Sequence, residues 1–128
     1  MVKEIKFLAK WFPLLAYVLL IFILSSFRLR NSILTEGYGS YVLHIIEFFV
    51  LSVLMLRVFY DYSYKFLLAM TFTVLVGYTD EVHQMIVPGR TASIVDLIFD
   101  MIGASLVLIF TVKKLQPILM TKSFETFK

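Results

Sequence analysis

The side chains that could do chemistry in this 128-residue chain are few, and they are grouped. The stretch from Tyr78 to Gly103 holds Asp80, Glu81, His83, Gln84, Arg90, Asp96 and Asp100, and an apolar run upstream holds His44, Glu47 and Arg57. His44 and Glu47 are three apart, so they share a helical face; Asp80 shares one with His83 and Gln84. Glu81 points about a quarter-turn away, while Asp96, Asp100 and Gly103 fall together on a later helix. Carboxylates beside imidazoles can act as general acids and bases, with Glu81, Asp80 and His83 as the candidate catalytic groups. They can also bind a divalent metal, with His44, Glu47, Asp80 and His83 as candidate ligands. Asp80-x-x-His83 and His44-x-x-Glu47 have the carboxylate–histidine spacing of di-metal helical bundles, one of them in reversed order. Arg90 can pair with a carboxylate or grip a phosphate on a ligand through its planar fork. Plainer roles stand beside these. His44–Glu47 can be a helix-end hydrogen bond, Asp96 a first-turn acid favoured by the helix dipole, and Arg57 a snorkelling base. Asp100 sits one turn deeper than a capping role reaches. No serine or cysteine nucleophile stands in a recognisable elbow, and no glycine-rich loop is present to cradle phosphates.

These groups sit in an unusually greasy chain. Hydrophobic residues make up 60% of it, and the mean hydropathy is +0.89. Soluble domains run nearer ~45–50% apolar, and a chain this short cannot hide the excess in a core. A lipid bilayer is therefore the expected surrounding. The net charge of +3 is small and its bases flank the apolar runs, which suits anionic lipid headgroups. No basic stripe is interleaved with stacking aromatics, so nucleic acid is set aside as a partner. Cysteine is absent, which excludes disulfides and thiolate metal sites.

The expected fold class is all-α, an integral membrane bundle of four transmembrane helices. Residues 1–10 read as a basic cytoplasmic start, 11–112 as the membrane domain, and 113–128 as a basic cytoplasmic tail. The first span is Trp11 to Phe27, with Pro13 in its first turn. A signal peptide is the competing reading of this segment, but no A-x-A site follows it and further apolar segments do. A polar loop from Phe27 to Ser40 carries Arg28, Arg30, Glu36, Gly37 and Gly39. The second span is Tyr41 to Tyr60, followed by a tight link from Asp61 to Lys65. The third has an apolar core of only Phe66 to Thr79, extended by helix through Gln84. Val87-Pro88-Gly89-Arg90 is a turn, Thr91 or Ser93 caps the next helix, and Ile94 to Val112 is the fourth span. The lysine and arginine distribution places both termini in the cytoplasm. His44, Glu47, Asp80 to Gln84 and Asp96 then share one depth, in the outward-facing leaflet. Ionisable groups at the bilayer centre cost about 2.5–3.5 kcal/mol or more, so such a cluster is by default functional. An open cleft between the second, third and fourth helices is the expected site.

The run Thr79-Asp-Glu-Val-His-Gln-Met-Ile-Val-Pro-Gly-Arg-Thr-Ala-Ser-Ile-Val-Asp, together with His44-Ile-Ile-Glu47, resembles the VanZ-like family of small bacterial membrane proteins. The matching positions are His44, Glu47, Asp80, Glu81, His83, Gln84, Pro88, Gly89, Arg90, Asp96 and Gly103, and the resemblance covers about residues 12–112. Two features depart from the family pattern: Asp100 stands where asparagine is common, and Ser40-Tyr41-Val42-Leu43 precedes His44 where bases are common. The resemblance implies a cell-envelope location and a link to teicoplanin resistance; it brings no established reaction. The leading expectation is a non-catalytic protein that binds or shields a surface amphiphile, either a lipid-linked cell-wall precursor or a lipoglycopeptide. Its ligand-binding set is His44, Glu47, Asp80, Glu81, His83, Gln84, Arg90, Asp96 and Asp100. No cofactor is expected beyond the divalent metal already considered. The alternative is a membrane-embedded enzyme using acid–base or metal chemistry on a lipid-linked or glycan substrate. A third reading makes the cluster purely structural.

Overall fold

The computed structural model describes residues 2–27 and 38–125, with the side chains of 2, 3, 5, 6 and 112–125 outside the description. The described residues form helices α1 (Val2–Ser25), α2 (Tyr38–Phe59), α3 (Lys65–Ile86) and α4 (Ile94–Glu125), with no strand among them. The polar loop expected after the first helix, with Arg28, Arg30, Glu36 and Gly37, lies outside the described residues.

Helices α1, α2 and α4 overrun the expected boundaries, α2 by starting at Tyr38 instead of Tyr41. α1 begins at Val2 instead of Trp11 and absorbs the basic start. Phe7 and Trp11, one turn apart, bring their rings to 5.7 Å, and Trp11 meets Phe59 of α2 edge-on at 6.3 Å. α4 runs past Val112, where no glycine or proline stops it, and continues through Pro117 to Glu125. α3 is 22 residues long, about 33 Å, because the polar segment Asp80 to Gln84 stays helical. α1, α2 and α4 each contain a stretch long and apolar enough to cross a membrane: Phe7–Ser25, Tyr38–Phe59 and Ile94–Thr111. α3 is long enough but is not among them, since its polar residues dilute its apolar run.

The longer α1 changes the meaning of Pro13. It lies inside the helix instead of in its first turn, where proline removes the N–H that would bond the carbonyl four residues back. That carbonyl belongs to Ala9, and the Arg57 guanidinium donates to it at 3.4 Å. Arg57, expected only to snorkel, thus supplies the donor that Pro13 lacks.

Contacts along the helices set the topology. α1 meets α2 antiparallel: Lys10 pairs with Asp61 at 2.7 Å, and the Tyr17 hydroxyl donates to the Glu47 carbonyl at 3.2 Å. α2 and α4 run parallel, with Tyr41 stacked on Phe99 at 4.4 Å and the Ser52 hydroxyl donating to the Ala104 carbonyl. α2 and α3 pack against each other and against both flanking helices, whereas α1 and α4 share no contact among the described residues. The buried apolar core is centred on α2, with Phe48, Leu51, Met55 and Val58 receiving Leu14 and Ile21 from α1 and Ala69 from α3.

The burial pattern is inverted relative to a soluble protein. Phe12, Leu15, Leu19, Leu67, Ile98 and Phe110 are exposed, while Asp80, Glu81, Gln84 and Asp100 are buried. Apolar outside and polar inside is the arrangement expected in lipid, where an outward carboxylate has no water. Gly103 permits the tightest helix approach: a Cβ there would lie 2.9 Å from the Ile45 Cα and collide with its carbonyl oxygen. Small residues serve this purpose in membrane bundles.

Two outcomes are expected. Gly103→Val should separate α2 from α4 and lower stability by about 1–3 kcal/mol, read as the thermal midpoint of the detergent-purified protein. Arg57→Met should cost about 0.5–1.5 kcal/mol by removing the donor to the Ala9 carbonyl. The same change should cost clearly less in a Pro13→Ala background, where the helix bond is restored. Equal costs in both backgrounds would show that Arg57 does not compensate for Pro13.

Candidate functional site

The α3–α4 junction is built by local rules. Pro88 and Gly89 occupy the centre of a type II turn: the Arg90 N–H donates to the Val87 carbonyl at 3.1 Å, and Gly89 has φ 83°. Ser93 then caps α4, its hydroxyl accepting the Asp96 N–H at 3.2 Å. In a usual capping box, the acid three residues on reaches back to the cap residue's own N–H. Here Glu81 of α3 takes that position, accepting the Ser93 N–H at 2.6 Å. Asp96 is left to face α2.

What it faces is His44. His44 Nδ1 lies 2.8 Å from Asp100 Oδ1, and Nε2 lies 3.8 Å from Asp96 Oδ2. The imidazole is held between two carboxylates one turn apart on α4. With Nδ1 carrying the proton, His44 donates to Asp100. Asp100 is buried on its other side by α3: a Cβ on Gly77 would lie 3.1 Å from Asp100 Oδ2. The close contact at Gly103 and the space left at Gly77 both bring backbone up to this histidine–carboxylate pair.

Beside the pair lies a cavity of about 260 Å³. Its polar wall is His44 and Glu47 from α2, Asp80 and Gln84 from α3, Arg90 from the turn, and Tyr17 and Ser25 from α1. Ile21, Leu24, Leu43 and Ile46 form the apolar wall. The cavity therefore lies between α1, α2, α3 and the turn, and no residue of α4 lines it. The expected cleft between the second, third and fourth helices is displaced because His44, Asp96 and Asp100 close the α2–α4 seam.

Of the residues singled out by sequence, His44, Glu47, Asp80, Gln84 and Arg90 meet around this cavity, and Asp96 and Asp100 back it through His44. Gln84 donates to Asp80 Oδ2 at 2.8 Å, as their spacing of four allows. Asp80 Oδ1 is buried without a hydrogen-bond partner, and so is Arg90 Nε. Arg90 forms no ion pair among the described residues, and the Glu47 carboxylate takes no hydrogen bond from any of them.

His83 does not join the group. It turns to α1, with Nε2 2.8 Å from the Ser26 hydroxyl and its ring edge-on to Phe22 at 5.5 Å. The face shared by Asp80, His83 and Gln84 is therefore split between two neighbouring helices. Glu81 and His83, candidates for one acid–base pair, hold separate partners. Among the described residues, no three acidic, histidine or cysteine side chains form a metal-holding group. The sequence gives α1 no part in the site, yet α1 supplies Tyr17 and Ser25 to the cavity wall. The available signal was one tyrosine and a serine pair within an apolar span.

The family model described as VanZ/LLP1 matches residues 7–115, most of the chain. No curated protein and no solved structure matches it.

Glu81→Ala should leave the Ser93 N–H without its acceptor and loosen the start of α4, at a cost of about 1.5–3 kcal/mol. Glu81→Gln, which keeps a carbonyl oxygen, should recover part of this. Hydrogen exchange over residues 91–100 is the direct readout, with faster exchange in the alanine variant. Unchanged exchange there would remove Glu81 from the capping role.

Proposed function

The chain belongs to the VanZ/LLP1 family, and from that premise we propose that its polar cavity binds the head of an envelope amphiphile. In this reading the protein is a four-span bundle of the bacterial cell membrane. α3 crosses with the others because its polar residues are enclosed by neighbouring helices. The lysine-rich ends, carrying Lys3, Lys6, Lys10, Lys113 and Lys114, face the cytoplasm by the positive-inside rule. The cavity then opens toward the outer leaflet.

Arg90 carries the reading. It is a permanently charged group beside a membrane-embedded cavity, with a buried Nε that has no partner and no carboxylate in ion-pair contact. A ligand phosphate or carboxylate would complete it, and the planar guanidinium suits a two-point grip. Glu47 and the open oxygen of Asp80 can accept hydrogen bonds from hydroxyl or amide groups on the same head. An anion flanked by many hydrogen-bond donors is the chemistry of a phosphorylated glycan head. At about 260 Å³ the cavity is smaller than the ~300–1,000 Å³ pockets that enclose drug-sized ligands, so it takes one headgroup. This favours a lipid-linked cell-wall precursor over enclosure of a whole lipoglycopeptide. Protection against teicoplanin would then follow from occupancy of the precursor. His44, Asp96, Asp100, Glu81 and Gln84 hold the walls, and no covalent step is assigned to them.

Teicoplanin susceptibility in a sensitive Gram-positive host provides the test, with membrane abundance matched by immunoblot. The wild type should protect. Arg90→Ala should lose about 2 kcal/mol or more of binding, roughly thirtyfold, and with it the protection. Glu47→Gln should weaken protection less. If Arg90→Ala protects as well as the wild type at equal abundance, the cavity is not the binding site.

A further inference from the structure

The opposite end of the bundle carries a second and larger recess. A groove of about 770 Å³ has Val53, Leu56 and Phe66 on its walls and Lys10, Arg57 and Lys65 around its mouth. Because α1 and α4 do not touch, this face of α2 stays open, and Val53 is exposed. A smaller recess of about 200 Å³ shares Val53, Leu56 and Thr111 with the groove and continues past Phe49 and Phe110. The two make one apolar furrow. From Arg57 to Phe49 it follows two turns of α2, about 12 Å, most of the depth of one leaflet.

The mouth is cationic in excess of its internal pairing. Lys10 is matched by Asp61 at 2.7 Å. Arg57 gives one N–H to the Ala9 carbonyl, which leaves the rest of its fork available. The Lys65 ammonium stands 4.4 Å over the Tyr60 ring. Neither Arg57 nor Lys65 meets a carboxylate among the described residues. We infer that this groove holds a membrane phospholipid with an anionic headgroup, its phosphate between Arg57 and Lys65 and an acyl chain along Val53, Leu56 and Phe49. Each half of the groove excludes a different competitor. A free phosphate would satisfy the mouth but leave the furrow bare. A neutral lipid would cover the furrow but leave the cations unmatched. A peptide would bring backbone N–H and C=O groups into a furrow with little to bond them.

The test uses the full chain in mixed micelles holding equal amounts of phosphatidylglycerol and phosphatidylcholine with identical acyl chains. Co-purified lipid is counted by native mass spectrometry. The wild type should retain phosphatidylglycerol in preference to phosphatidylcholine, and the preference should fall about fivefold for each cation removed in Arg57→Gln and Lys65→Gln. Lys65→Gln alone settles the question if the loss of Arg57 unfolds α1, since Lys65 holds no backbone carbonyl in place. Leu56→Trp, which fills the furrow and keeps every charge, should reduce retention of both lipids. Millimolar inorganic phosphate should not displace the bound lipid. Equal retention of the two lipids by the wild type, an undiminished preference in Lys65→Gln, or displacement by phosphate would each overturn the assignment.

Discussion

Hydrocarbon offers no hydrogen bonds, so a polar group that enters it must find its partner within the chain. That constraint explains the buried hydrogen bonds between these helices. Ser52 donates across to the Ala104 carbonyl. His44 and Asp100 satisfy each other at the α2–α4 seam, and Glu81 reaches from α3 to the first free N–H of α4. Each of these bonds joins two different helices or a helix and the junction next to it. In water the same groups could turn outward. Here they cannot, so polar satisfaction fixes the pairing of helices that apolar contact alone would leave loosely specified, since lipid tails are as apolar as the helices they touch.

The places where satisfaction stops are therefore informative. Among the described residues Thr73 Oγ1, Asp80 Oδ1, Glu81 Oε1 and Arg90 Nε are buried without partners, and two of these residues, Asp80 and Arg90, border one cavity. Buried polar atoms are normally bonded, and leaving one unmade costs about 1–3 kcal/mol. Such a cost is tolerated where something else completes the site, which is why the cavity and not the larger groove carries the proposed function. The groove differs in kind: its charges lie at a mouth within reach of headgroups and water, and its interior is plain apolar surface.

Much of this was legible in the sequence because it follows from local rules. Pro88-Gly89 predicts the turn, and of the two expected caps, Thr91 and Ser93, Ser93 is the one used. The spacing of His44 and Glu47, and of Asp96 and Asp100, predicts which side chains share a face. Their common depth follows from counting residues along the spans. The direction each face takes around the bundle does not. His83 lies on the same stripe as Asp80 and Gln84, but a helix stripe is broad enough to touch two neighbours, and His83 falls to α1. The contribution of Tyr17 and Ser25 was hidden for the same reason: an isolated polar residue in an apolar span gives no sign of which cavity it borders. Pro13 reads as a first-turn proline because Trp11 is the first membrane anchor, but helix formation does not wait for the hydrocarbon and α1 starts at Val2.

Glu81 shows how one displaced contact organises the rest. Had Asp96 closed its own capping box, its carboxylate would have curled back over Ser93, away from α2. Because Glu81 occupies that position, Asp96 is free to stand 3.8 Å from His44, with Asp100 one turn below at 2.8 Å. The imidazole is then fixed as one wall of the cavity. An asparagine at position 100 could still accept the imidazole N–H, but it would present a neutral partner; the carboxylate makes the histidine's hold charge-assisted. The Arg90 backbone, by contrast, is placed by the turn, through Pro88 and the positive φ of Gly89. Its guanidinium forms no ion pair among the described residues, so its fork is unspent. The wall is held by side-chain pairs and the Arg90 backbone by the turn, so the same junction can be rigid and still present to the cavity a guanidinium that forms no ion pair among the described residues.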